Sequence, residues 1–170
     1  MNLEYFIASL PMLQPGHPPG MTVEAFRVAC AENLSGRLAG AVQALLNDTD
    51  ADHPFVRAWR NHETLLRNAV AKRRASRLGD DAARWLQPVE GSDMRIEQGV
   101  AAAFEQPDPL MRERALARLR WQAIEVLQGI QPLAPEVVLA YAVKLRLLTR
   151  WTLLDEEIAQ ARLDALVRLP

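Results

Sequence analysis

The stretch Val137–Trp151, VVLAYAVKLRLLTRW, decides the fold, because it is the longest apolar helix signal in the chain. Pro135 suits the first helical turn, where a missing N–H costs nothing, and no Pro or Gly follows until Pro170. A helix running on to that point would hold about 34 residues and reach about 50 Å at 1.5 Å per residue. It is the expected spine of a bundle, with upstream helices packed on it. Its far end continues an apolar stripe through Ile158, Ala161, Ala165 and Leu169 at steps of three and four. That stripe needs cover from earlier helices or from a partner, which makes Ile158 a candidate docking residue.

Working back toward the N-terminus, DPLMRER signals another helix start, with Asp108 as cap and Pro109 in the first turn. This helix is expected to reach Gln128 and to turn Leu116, Leu119, Ala123, Leu127 and Ile130 inward, with Trp121 on nearly the opposite side. Gly129 and Pro132 end it. Before it, Ser92 or Asp93 starts a helix that faces Ile96, Val100 and Phe104 inward and carries Gly99, a glycine worth about 1 kcal/mol less than Ala in a helix interior. A short helical turn is expected over 81–86.

The helix from His53 or Pro54 to Leu78 places Phe55, Trp59, His62, Leu66 and Ala69 on one face. Arg60, Glu63, Arg67 and Arg74 share a neighbouring face, and Gly79 ends the helix. Upstream, Asp52 is the expected cap of that helix, Leu38 to Leu46 forms a shorter one, and Thr22 caps another with Val23, Phe26, Cys30 and Leu34 inward. LQPGHPPGM is a loop, and the opening run Tyr5–Leu10 is an extended segment or a short helix. No period-two alternation and no hairpin dipeptide interrupts this series. The expected fold class is therefore all-α: a single domain over 1–170, a bundle of five to seven helices with a long C-terminal one.

At 170 residues and 49% hydrophobic content the chain has the make-up of a globular protein rather than a disordered one. A net charge of −1 argues against a global electrostatic footprint for nucleic acid or acidic lipid. Cys30 is the single cysteine, which excludes an intramolecular disulfide and a cysteine zinc cluster and points to a reducing compartment. No run reaches the roughly 18 apolar residues of a membrane span. The acidic, Pro-interrupted start lacks signal-peptide character, so a cytoplasmic location is expected.

The catalytic templates fail one by one. His62-Glu63 opens like a zinc-protease motif but has no second histidine four residues on, so His62 is expected at the edge of the core. Cys30 on an apolar face is an inert buried thiol. Asp48, Asp50 and Asp52 have the spacing of a calcium loop without its Gly and distal Glu. Phosphate loops, nucleophile elbows and dinucleotide fingerprints are missing. No enzyme activity, metal, cofactor or small-molecule substrate is expected. Lys72, Arg73, Arg74 and Arg77, with Arg67 before them, point around several sides of one helix, which suits a solvated helix end better than a phosphate track. Trp121 and Trp151 are either core residues or anchors for a protein partner.

Five stretches, YFIASLPML, VEAFRVACAENLS, ETLLRNAVAKRRASRLG, DPLMRERALARLRWQAIEVL and VVLAYAVKLRLLTRW, together resemble the DUF2764 family, encoded alongside bacterial V-type ATPase subunits. The last stretch also resembles a helix of the socket protein of archaeal and V-type rotary ATPases, the component that joins the rotating central shaft to the membrane-embedded proteolipid ring. The resemblance implies an all-helical, non-catalytic subunit or accessory protein that couples the central stalk to that ring and meets the membrane only through the complex. The socket protein has roughly twice this length in about three helical domains, so a reduced form or an accessory protein is implied. On the matching positions the resemblance marks Glu63, Arg67, Asn68, Arg74 and Ala75, then Arg120 and Trp121, then Tyr141, Lys144, Leu145, Arg150 and Trp151. Each is read as an interface residue or as part of a structural ion pair. A Lys144 ammonium among apolar residues calls for a carboxylate, with Glu63, Glu113 and Glu136 as candidates. The alternative function is a free-standing helical adaptor or regulator that binds another protein.

Overall fold

The computed structural model describes residues 2–153. Its described residues form seven α-helices and one 3-10 turn, with no strand, so the fold is all-α. The helices are α1 (Leu3–Ser9), α2 (Val23–Asn33), α3 (Gly36–Asn47), α4 (Pro54–Leu78), α5 (Met94–Phe104), α6 (Pro109–Gln128) and α7 (Pro135–Leu153), with the 3-10 turn at Ala83–Trp85. The stretch beyond Leu153, including Ile158 and the rest of its stripe, lies outside the described residues. The described helices divide into two compact units: α1–α3 with α7, and α4–α6.

The first unit is built on α7. Val138 through Val143 are buried without a break, and Leu145 and Leu148 follow. Six consecutive buried positions cover the whole circumference of a helix, so this segment is enclosed rather than amphipathic. Against it lie Phe26 and Cys30 of α2 and Ala41, Val42, Leu45 and Leu46 of α3. The Phe26 and Tyr141 rings pack at 4.9 Å between centroids, tilted by 38°. The Thr22 hydroxyl accepts from the Ala25 N–H at 3.1 Å and fixes the start of α2. α3 ends on Asp48 in the left-handed region at φ 57°, and the Arg146 guanidinium of α7 donates to the Leu45 carbonyl in its last turn.

The second unit is a three-helix assembly with an unusual order of directions. Gly79, at φ 67°, stops α4 and donates to the Ala75 and Ser76 carbonyls, and the chain then turns back along the helix it has just left. α5 consequently starts beside the first half of α4 and runs the same way, its Glu97 meeting Lys72 at 3.4 Å and its Phe104 carbonyl accepting from Arg77. α6 returns in the opposite sense. Its Arg112 lies over the Phe104 ring at 4.9 Å, and its Arg120 reaches Glu63. Leu66, Ala69, Ile96, Val100, Ala103, Phe104 and Leu116 form the shared core.

Two expectations are corrected. His53, not Asp52, caps α4: its Nδ1 accepts from the Phe55 N–H at 3.2 Å, while Asp52 pairs with Arg57. Ile130, expected inward, is 99% exposed, because Gly129 at φ 72° takes the chain off the α6 register one residue earlier.

Candidate functional site

The polar residues of α4–α6 are arranged around one ion pair. Arg120 Nε lies 2.8 Å from Glu63 Oε1, with 15% and 16% of the two side chains exposed. The other Glu63 oxygen is 3.9 Å from Arg67 Nε, a longer and more exposed contact one turn along α4. Glu63 therefore spends its carboxylate on bridging α4 to α6, and the local i,i+4 pair is the weaker of its two contacts. His62 stands beside it, with its ring stacked on Trp59 at 5.7 Å and 22°. Burial holds the imidazole below its ordinary pKa, and Arg120 adds to that, while Glu63 and Asp93 oppose it.

A second polar device pins the returning segment. Asn68, 8% exposed, donates from Nδ2 to the Gln87 carbonyl at 2.8 Å and accepts the Gln87 N–H on Oδ1 at 2.9 Å. Asn61 repeats the pattern two turns earlier on the Glu90 main chain, at 3.1 and 3.3 Å. The seven-residue spacing puts both amides on one stripe of α4, where each imitates a strand neighbour for an otherwise irregular chain.

The residues singled out in the sequence sort by exposure. Tyr141 is buried on α7, and its hydroxyl has no hydrogen-bond partner among the described residues. Arg67, Arg74 and Arg150 are exposed, and Lys144, Trp121 and Trp151 are half-buried. The Trp121 indole N–H donates to Glu125 at 2.8 Å, so its outward side is tied to its own helix. The basic run is split among tasks: Lys72 pairs with Glu97, Arg77 stacks on Phe104 and bonds its carbonyl, and Arg73 and Arg74 face solvent.

Sequence reasoning marked Glu63, Asn68 and Arg120 as matching positions, but their local spacing gave no sign of what they bond. Asn61 was missed altogether. The signal available was the seven-residue repeat of Asn on one helix face, opposite a loop with no regular structure.

No group of three or more His, Cys, Asp or Glu able to hold a metal occurs among the described residues, and none of the described helices is long and apolar enough to cross a membrane. Compared with known proteins, the chain has no matching family model, no matching curated protein and no matching solved structure.

Proposed function

We propose that this chain is a non-catalytic component of a bacterial V-type rotary ATPase, a subunit or accessory factor that couples or assembles the central stalk with the proteolipid ring. The observation that carries the reading is the ordered resemblance of five stretches, which fall in sequence on α1, α2, α4, α6 and α7. Several matched residues hold the fold together: Glu63 and Arg120 join α4 to α6, Tyr141 packs on Phe26 of α2, and Asn68 pins the segment at Gln87.

A part of this kind acts through shape. Torque or assembly contacts pass through packed helices, and specificity resides in the charges they present. Arg74 and Arg150, exposed on α4 and α7, are the candidate contact residues, and the half-buried Trp121 and Trp151 are the candidate anchors. The test is affinity purification of the tagged protein from its host under mild conditions. Stalk or ring subunits in the eluate support the proposal; an eluate free of every rotary ATPase subunit overturns it. One stable partner of another kind would favour the free-standing adaptor. With the complex in hand, Arg74→Glu and Arg150→Glu should reduce co-purification while leaving helix content unchanged by circular dichroism.

A further inference from the structure

His62 occupies the point in the second unit where all three helices bring charge together. From α4 itself comes Glu63, from α6 Arg120, and from the cap that starts α5 Asp93, already paired with Arg95 at 3.4 Å. The imidazole rests on buried Trp59, and its Nε2 is buried with no hydrogen-bond partner among the described residues. A neutral ring suits that position. A charged ring does not: it loses its hydration, is repelled by the charge on Arg120, and competes for a carboxylate that Arg120 and Arg67 already share.

We propose that His62 is an acid-sensitive latch on the α4–α6 contact, neutral when the Glu63–Arg120 pair is closed and protonated only when that contact opens. Proton linkage sets the direction. The open form exposes the ring to water and binds a proton near the ordinary imidazole value of 6.5, while the closed form binds it less readily. A group whose folded pKa is lowered in this way contributes fully above the unfolded value. Its contribution is lost as pH falls from 6.5 through the folded value. Each pH unit in that window lowers the closed-to-open ratio by up to about tenfold, for one proton. The device does not depend on which partner the protein binds.

Two other histidines must be kept apart from it. His53 caps α4 through a ring nitrogen that accepts an N–H and would lose that role on protonation, so the test uses the full chain carrying His53→Asp and His17→Gln. The remaining imidazole is followed by NMR titration, and the protection of α6 amides against hydrogen exchange is measured between pH 7.5 and 5.5. The expected result is a His62 midpoint below 6.5, moved higher by Arg120→Gln, which removes both the opposing charge and the pair that closes the contact, with α6 protection factors falling along with pH. His62→Phe, which keeps a ring on Trp59, should flatten that fall. A midpoint at or above 6.5, or the same pH slope in His62→Phe, overturns the latch. If His62→Phe does not fold, the midpoint in the histidine-bearing chain decides alone.

Discussion

Asn68 bears the most structure per atom in the second unit. Its amide satisfies one N–H and one carbonyl of a segment that has no ladder of its own. Truncation leaves both main-chain groups without that partner in a half-enclosed place. Asn68→Ala should therefore cost about 2 kcal/mol, against under about 1 kcal/mol for Asn61→Ala, whose bonds are longer and exposed. Urea unfolding of the two variants measures the difference, and equal losses would contradict the geometry. Cys30 and Tyr141 yield a second prediction, at alkaline pH. Burial pushes the Cys30 thiol up to about 12 and the Tyr141 hydroxyl also to about 12, the latter with a smaller contribution from Cys30. Both groups favour their neutral forms when folded, so their contribution is complete below the ordinary values of 9.0 and 10.0 and is lost as pH rises above them. A Cys30→Ala, Tyr141→Phe double variant should show a flatter decline in stability between pH 9 and 11. At neutral pH, Tyr141→Phe alone should be neutral or mildly stabilising, because the hydroxyl it removes is buried without a partner among the described residues.

Among the elements, α5 shows how a weak helix becomes a necessary one. A Cβ on Gly99 would lie 2.5 Å from Leu119 Cδ2 and 2.9 Å from Cδ1, so a methyl there runs into the end of the Leu119 side chain of α6. Propensity alone would make Gly99→Ala a gain of about 1 kcal/mol. The overlap should reverse the sign to a net loss of about 1 kcal/mol. Leu119→Ala in the same chain should remove the conflict, so the double-mutant cycle should show favourable coupling rather than additivity. The helices themselves were legible in the sequence because their ends carry local chemistry. Thr22, Asp93 and Asp108 cap where side chain and spacing indicate, and Gly79 stops α4. Asp52 and Ile130 misled, because a cap is chosen among neighbouring polar residues by turn geometry, and a helix's last inward position depends on where a glycine breaks it. The Glu63–Arg120 pair was not legible as a pair: 57 positions separate its members, and only the antiparallel return of α6 brings them together.

At the scale of the molecule, the second unit is one continuous stretch, Asp52–Gly129, whereas the first is assembled from chain on both sides of it. A fragment of residues 52–129 should therefore be helical by circular dichroism and unfold cooperatively, while residues 1–51 alone should not, lacking α7 to enclose Phe26, Val42 and Leu45. A fragment 52–129 without helical signal would count against the division. This organisation has no compositional mark, since the Pro- and Gly-bearing run after Gln128 looks like any other connection between helices. It has a consequence in time. α3 ends at Asn47 and α7 begins at Pro135, so at about 5–20 residues per second roughly 4–18 s of synthesis separate them on the ribosome. That interval is taken up by synthesis of the inserted unit, while the first three helices wait with their apolar faces open. The chain's N-terminal third is thus the part most in need of chaperone custody, and α7 is the element whose arrival ends it.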